Sequence, residues 1–232
     1  MLRYVYIKYL IYTDGYKMNF NIFHKTPTTR IQIQISLKYL DANVLVKYEE
    51  KDRFNKLCEL GCINYNKKWS CPPHSPTYSS YLNGFSKFLL ILFNCDLAQF
   101  DYVKTEYMKV KTSNSILKSQ SDKLSRFLEI KLSGKMLSNG SCRLCKPCSK
   151  KVSANSCKNP LKLRYSLESL GLNVEQISQD FFNRKLLWYK TKQASPDYST
   201  VVSGILTNNM FDNRFLKELI YEYYSLNNVN IF

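Results

Sequence analysis

The sequence is poor in glycine and proline, and it lacks long apolar runs. It contains 7 glycines and 7 prolines among 232 residues, which excludes a collagen-like or low-complexity chain. No apolar run approaches the roughly 20 residues that a membrane-spanning helix needs, so we expect no membrane partner. The first apolar run is interrupted by Arg3 and Lys8 and lacks a small-residue cleavage site. We therefore expect no secretory signal and a cytoplasmic location.

Acidic residues and arginines are also few. The chain has 18 Asp and Glu against 34 Lys and Arg, which gives a formal net charge of +16. Such an excess is typical of nucleic-acid-binding proteins. The lysines are scattered, however, and arginine, which contacts bases and phosphates in a bidentate way, is scarce. Nucleic acid is therefore not the partner that we expect.

Cysteine is what the chain does contain, with 8 residues in two groups and one outlier. In a reducing compartment, clustered thiols are typical of metal ligands rather than disulfides. Cys142, Cys145, Cys148 and Cys157 have the spacing C-x2-C-x2-C-x8-C, and Pro160 follows shortly after. This is similar to the cysteine runs of bacterial ferredoxins, except that eight residues rather than three precede the last cysteine. The spacing predicts one [4Fe–4S] cluster on these four thiolates, with zinc as the alternative.

The other group has three cysteines, Cys58, Cys62 and Cys71, with the spacing C-x3-C-x8-C-P-P. It predicts a second metal centre whose fourth ligand is open. His74 would give a zinc site, Cys95 an all-thiolate site, and an exchangeable ligand would leave one iron of a cluster open. Cys95 ends a short apolar run and His74 lies in a loop, so we expect neither to be a ligand. The spacing is not the C-x3-C-x2-C of radical enzymes that use S-adenosylmethionine, and that chemistry is not inferred.

Hydrophobic periodicity predicts a single α+β domain with a small sheet, flanking helices and two cysteine-rich metal-binding loops. We expect an N-terminal extension at 1–30, the metal-binding domain at 31–209 and a C-terminal helix at 210–232. The polar segment 101–115 is expected to be a strand end and a loop. Strands are predicted at 31–35, 44–46, 88–93, 186–189 and 201–206, and helices at 49–57, 116–136, 161–170, 173–178 and 215–224.

Four polar residues are candidates for the surroundings of the metal. Arg164, Ser166 and Glu168 follow the last cysteine closely and are expected to lie near the centre. Ser166 could equally cap the predicted helix. Glu129 lies beside the apolar stripe of the helix predicted at 116–136, and we expect it to be on a solvated face.

Two elements in this order, Trp69-Ser-Cys71-Pro-Pro and Cys142-Arg-Leu-Cys145-Lys-Pro-Cys148, resemble a known family. It is the family of predicted metal-binding proteins filed as domain of unknown function 2284, and the similarity runs from about residue 40 to about residue 207. The resemblance implies seven ligands and brings no known reaction. Where the family usually has Ala-Cys-Gly, this chain has Ser169-Leu170-Gly171. The implied ligands are Cys58, Cys62, Cys71, Cys142, Cys145, Cys148 and Cys157.

These observations predict a cytosolic iron–sulfur protein that transfers electrons or supports a partner redox enzyme. One alternative is an enzyme in which the three-thiol centre is an open, Lewis-acidic iron with Arg164 or Glu168 near the substrate. Another is a zinc-stabilised module that binds RNA or protein. The sequence assigns neither catalytic residues nor an oligomeric state.

Overall fold

A five-stranded antiparallel sheet forms the centre of the computed structural model, which describes residues 17–189, 194–227, 229 and 231. Its spatial order is β1-β2-β3-β5-β4. The strands are β1 (Met18–Lys25), β2 (Arg30–Asp41), β3 (Lys87–Asp96), β4 (Lys135–Leu137) and β5 (Tyr198–Thr207). The helices are α1 (Lys51–Gly61), α2 (Tyr78–Leu82), α3 (Glu106–Lys131), α4 (Val174–Phe182) and α5 (Asn213–Leu226). The α+β fold class is confirmed.

Periodicity located most of these elements. The strands predicted at 31–35, 88–93 and 201–206 lie inside β2, β3 and β5. The helices predicted at 49–57, 173–178 and 215–224 overlap α1, α4 and α5. Asn173 caps α4, because its side chain accepts a hydrogen bond from the Gln176 amide.

Other segments correct the sequence-based predictions. Residues 44–46 belong to the 3-10 turn Ala42–Tyr48, since Val44 and Val46 are exposed and have no core to face. Residues 186–189 form no strand. The helix predicted at 161–170 is instead two short 3-10 turns, Pro160–Lys162 and Glu168–Leu170. α3 begins at Glu106, inside the predicted loop 101–115, because Thr105 caps it.

The sheet separates two apolar clusters. Alternate residues of β3, Leu89, Ile91 and Phe93, pack with α3 and α5 on one face. Leu90 and Leu92 point to the other face, among residues of α2, α4 and the turn 42–48. β3 is therefore buried on both sides, which explains its continuous apolar run.

Serine side chains bring α3 close to β5. Ser121 donates a hydrogen bond to Ser203 at 2.9 Å, Ser125 lies 3.2 Å from the same hydroxyl, and Ser113 and Ser199 are 2.7 Å apart. Small hydroxyls satisfy one another here without a bulky side chain between helix and strand. The seam fixes α3, whose carboxyl end leads into β4 and the second cysteine group.

α1, which carries the first cysteine of the chain, is fixed at its start. None of its residues is buried, and its packing partner is the turn at Glu168–Leu170. The Glu50 amide bonds to the Gly171 carbonyl at 2.7 Å. Gly171 has φ +90°, and a Cβ there would lie 2.7 Å from the Cα of Lys51, so only glycine allows this approach.

Two of the sequence-based expectations concern the chain as a whole. In the described residues, no helix is both long and apolar enough to cross a bilayer. The division at residues 30 and 209 stays a prediction. β1 lies within the proposed N-terminal extension and pairs with β2, while α5 packs on the sheet; residues 1–16 lie outside the described residues.

Candidate metal centre

The second cysteine group occupies the loop that follows β4. The loop leaves the sheet where the Ser138 amide bonds to the Tyr165 carbonyl at 2.8 Å. Cys142, Cys145, Cys148 and Cys157 are all free and partly buried. Burial raises the pKa of Cys142, and the charges of the other three thiols raise it further. Each of these three thiols is therefore close enough to Cys142 for its charge to act on it.

Several N–H groups point at these sulfurs. The side-chain amide of Asn159 donates to Cys145 Sγ at 3.1 Å, and its backbone N–H donates to Cys157 Sγ at 3.4 Å. The backbone N–H of Leu144 bonds to Cys142 and lowers the pKa of that thiol. Such donors stabilise negative charge on sulfur, which is what a ligating thiolate carries.

The first group combines the end of α1 with a series of tight turns. Cys58 lies in the last turns of α1, Cys62 follows the helix and is exposed, and Cys71 is 7% exposed. Turns from Lys68 to Cys71 and from Cys71 to His74 close at 3.1 and 3.0 Å between backbone N and O. The Asn66 amide also donates to the Pro72 carbonyl at 2.9 Å, which closes the segment 66–72 into a loop.

The thiols of the first group are close enough to affect one another's pKa values. Burial raises the pKa of both Cys58 and Cys71, and each pKa is raised further by the charge of Cys62. Glu168 also raises the pKa of Cys58, whereas Lys51 lowers it. Lys51 donates to Ser75 Oγ, the Pro76 carbonyl and the Ser169 carbonyl, and burial lowers its pKa to about 8.

The segment Lys68-Trp69-Ser70 joins the two cysteine groups. Lys68 Nζ donates to Ser141 Oγ at 2.9 Å and to the Cys142 carbonyl at 3.0 Å. Trp69 Nε1 donates to Ser149 Oγ at 3.0 Å, and Ser70 Oγ accepts from the Cys142 amide at 2.9 Å. The two groups are thus folded toward each other within one domain.

The two side chains considered as a fourth ligand for the first group have other surroundings. Cys95 is 2% exposed in β3 and belongs to the cluster of α3 and α5, across the sheet from the residues that support α1. Burial raises its pKa to about 12. His74 Nε2 is 2.8 Å from Asn66 Oδ1, and its ring lies 5.1 Å from that of Trp69.

The four polar residues proposed to surround the metal have different contacts in the structure. Glu168 lies near Cys58, and Ser166 Oγ accepts a hydrogen bond from the Ser169 amide. Arg164 pairs with Glu129 through Nε and donates to the carbonyls of Leu161 and Leu163. The expectation that Glu129 is solvated is wrong, because its side chain is 15% exposed and also accepts from the Met136 amide.

Sequence reasoning missed Asn159, Lys51, Lys68 and Ser70 as parts of the site. Asn159 precedes Pro160 directly, and only the folded loop brings its amide to Cys145, fourteen positions away. The two lysines resembled the many scattered lysines of the chain. No local pattern distinguishes a lysine or serine that contacts a segment about 70 residues distant.

The thiols within each group are near one another, but they are not arranged as a complete coordination shell. Within the described ranges, no three or more histidine, cysteine, aspartate or glutamate side chains are arranged to hold a metal ion. The donor chemistry does fit a soft metal, since four thiols share one loop and three of them receive N–H donors.

Fold and site together define a class: an α+β protein with two linked cysteine groups of the type that binds metals. The family of predicted metal-binding proteins known as domain of unknown function 2284 matches residues 45–206. The chain belongs to this family. The match extends from the turn before α1 to β5 and includes all seven grouped cysteines, while β1 and α5 lie outside it.

No curated protein and no solved structure matches the chain.

Proposed function

We propose that this chain is a cytoplasmic iron–sulfur protein that transfers electrons or supports a partner redox enzyme. Cys142, Cys145, Cys148 and Cys157 would hold a [4Fe–4S] cluster. When bound, such a cluster supplies reversible one-electron chemistry. The loop around it would orient the sulfurs and set their basicity.

The observation that carries this proposal is the set of N–H groups directed at the second cysteine group. Asn159 reaches both Cys145 and Cys157, and Leu144 reaches Cys142. Structural thiols in a core have no need of such donors, as the buried Cys95 illustrates. Hydrogen bonds to sulfur are one of the main means by which proteins set cluster reduction potentials.

The surface around the first group suits a protein redox partner. Leu57, Leu60 and Ile63 are 53%, 78% and 81% exposed, and they flank Cys58 and Cys62. Single exposed apolar residues are ordinary, but three of them around two thiols form a surface that a partner could cover. With a net charge of +16, the chain would favour an acidic partner.

The test is anaerobic purification followed by iron and sulfide analysis. We expect a brown protein with matched iron and acid-labile sulfide, and loss of both in Cys145→Ala. Cys95→Ala is the matched control, since it removes the cysteine outside both groups. A colourless, zinc-loaded protein would defeat the redox proposal and favour the zinc-stabilised module; steeply salt-dependent RNA binding would then identify RNA as its partner.

A second candidate is an enzyme with an open-site cluster on Cys58, Cys62 and Cys71. It is favoured by the surroundings of His74 and Cys95, which leave the first group with three thiols. Glu168 rather than Arg164 would then face a substrate, because Arg164 is tied to Glu129. Cys71→Ala distinguishes the possibilities: loss of part of the iron shows a second centre, and three-iron species after mild oxidation of wild type identify an open iron.

A further inference from the structure

A small cavity lies beside the second cysteine group. It has a volume of about 100 Å³ and lies between α3, the loop 138–144 and the turn after Pro160. Cys142 forms part of its wall, but the remaining wall is mostly charged or polar. The cavity is too small for a nucleotide base and is large enough for a single anionic group.

Four cationic side chains line this cavity. They are Arg126 on α3, Arg143 in the cysteine loop, and Lys162 and Arg164 after Pro160. Arg164 is engaged with Glu129 and two carbonyls. In the described part of the chain, Arg126, Arg143 and Lys162 have no ion pair and no side-chain hydrogen bond. Three unpaired cations from three separate segments therefore converge on one space.

Among the described residues, Asp122 is the one carboxylate that lines the cavity. It lies near enough to Arg126 and Arg143 for their charges to act on it, but not within salt-bridge distance of either. Its Oδ1 is buried with no hydrogen-bond partner among the described residues. Asp122 therefore offsets only part of the positive charge, and an anion entering the cavity would meet a net cationic wall.

We propose that this cavity binds an oxyanion, the phosphate or carboxylate group of a small molecule. A planar guanidinium can donate paired hydrogen bonds to two oxygens of either group, and a lysine adds a compact positive charge. The site needs no metal, so this proposal and the iron–sulfur proposal can fail separately.

The test is calorimetric titration of the full-length protein in phosphate-free buffer, with inorganic phosphate in one series and acetate in the other. Saturable binding of phosphate, of acetate or of both supports the site and shows which group it prefers. Arg126→Gln and Arg143→Gln should each weaken binding about tenfold or more. Arg214→Gln on the distant α5 removes the same charge and should leave binding unchanged.

Asp122→Asn provides a test of opposite sign. It removes the carboxylate that faces the anion, so binding should become tighter, a result that a misfolded variant cannot give. No saturable binding of either anion would overturn the proposal. Equal weakening by Arg214→Gln and Arg126→Gln would also overturn it, since the effect would then be one of overall charge.

Discussion

Asn159 shows how one residue can organise a thiol loop. Its side chain and its backbone each donate to a different sulfur, Cys145 and Cys157, and Pro160 directly after it starts a short 3-10 turn. The residue is partly buried, so these bonds compete less with water than they would on an open surface. Asn159 is therefore a positioning residue for both thiols.

Replacing Asn159 with leucine should weaken metal retention by the second group about 10- to 100-fold, the range typical of residues that orient metal ligands. The side-chain donor to Cys145 is lost while the size of the residue is kept. If an iron–sulfur cluster is bound, its reduction potential should also become more negative, because an N–H donor favours the reduced, more negative state. Metal retention is measured against a competing chelator, and the potential by redox titration.

The control for this variant is Asn155→Leu, which changes an exposed asparagine of the same loop. It should retain metal as wild type does. If both variants lose metal equally, the loop is simply sensitive to substitution. The assigned role of Asn159 would then be wrong.

Two tyrosines on α2 make a matched pair for stability. Tyr81 has a buried hydroxyl with no hydrogen-bond partner among the described residues, while the hydroxyl of Tyr78 donates to the Ala42 carbonyl at 3.0 Å. We expect Tyr81→Phe to leave the free energy of unfolding unchanged or raise it by about 1 kcal/mol, since an unsatisfied polar atom is removed. Tyr78→Phe should lower it by about 1–2 kcal/mol.

Urea unfolding of the two variants beside wild type measures both effects. The ring of Tyr81 keeps its contact with Lys135, whose Nζ lies 4.1 Å from the ring centre, so only the hydroxyl differs. A larger loss for Tyr81→Phe than for Tyr78→Phe would contradict the hydrogen bonding described above.

At the scale of elements, β5 contains Gly204 at a position where it pairs closely with β3. A Cβ at Gly204 would lie 2.2 Å from the ring of Phe88 and 2.9 Å from the Leu89 carbonyl oxygen. Gly204→Ala should therefore lower the free energy of unfolding by at least about 2 kcal/mol, because Phe88 is fully buried and cannot move aside freely.

Gly61→Ala is the matched control for this change. It lies at the end of α1, and no atom lies within 4 Å of its added Cβ. We expect no loss of stability, and a gain of up to about 1 kcal/mol from the better helix propensity of alanine. Thermal or denaturant unfolding of both variants measures the difference, and similar losses in the two would show that the packing of Gly204 is not the cause.

Elements with a strong apolar period could be predicted from the sequence, and those fixed by distant contacts could not. β2 and α5 each have one clear apolar face, so the spacing of their apolar residues was enough to predict them. Val44 and Val46 have strand-forming side chains, yet their segment connects β2 to α1 and buries Leu45 instead, so it forms a 3-10 turn. Residues 161–170 have helical spacing, but the parallel bridge from Ser138 to Ser166 interrupts the segment.

The cysteines of the candidate site could be predicted from the sequence. The residues that orient the cysteines or join the two groups could not. Cysteine spacing is local and could be read directly, which located both groups and set Cys95 apart. The residues that orient or join the groups, Ser70 and Asn159, are common polar residues whose role depends on tertiary contacts. The same holds for Glu129, whose burial results from its contact with Arg164.

For the molecule as a whole, the sheet separates the apolar cluster of α3 and α5 from the face that supports α1 and the first cysteine group. Among the described residues, the cluster of α3 and α5 contains Cys95, and the other face supports α1 and the turn at Glu168–Leu170. The loop of the second group contacts α3 instead, where the Asn139 side chain donates to the Lys118 carbonyl. Substitutions in the cluster of α3 and α5 should therefore reduce the stability of the protein without changing which cysteines bind the metal. Damage to the linking segment 68–70 should affect both cysteine groups together.

Buried tyrosines make the whole molecule sensitive to alkaline pH. Burial raises the pKa of Tyr39 to about 12, and burial raises those of Tyr78, Tyr81 and Tyr224 well above the ordinary value of 10. In the unfolded chain these groups lose their protons near pH 10, whereas in the folded protein they keep them. The folded state then binds more protons, so the contribution of these tyrosines to stability is complete below pH 10 and is lost as pH rises further.

Lys51 acts in the opposite direction and in a different window. Its pKa is lowered to about 8, so between pH 8 and about 10.5 the unfolded chain binds the extra proton and stability rises slightly with pH. One half-buried lysine cannot offset several tyrosines, and its effect ends where theirs begins. Buried Cys95, whose pKa is raised to about 12, keeps its thiol proton in the folded protein, while the unfolded chain loses that proton near pH 9. We therefore expect the free energy of unfolding to be nearly level up to about pH 9 and to begin to fall above it. Above pH 10 it should fall more steeply, by about a further 1.4 kcal/mol per pH unit for each fully buried tyrosine such as Tyr78.

Urea unfolding in steps from pH 7 to 11.5, with tyrosinate absorbance recorded on the folded protein, measures this profile. Tyr78→Phe removes one titrating group, so its curve should fall less steeply above pH 10 than that of wild type, even though it begins lower. The two effects have different origins: the lost hydrogen bond to Ala42 acts at every pH, while the slope reports the proton alone. Tyrosinate absorbance that developed fully near pH 10 in the folded protein would contradict the burial on which the profile depends.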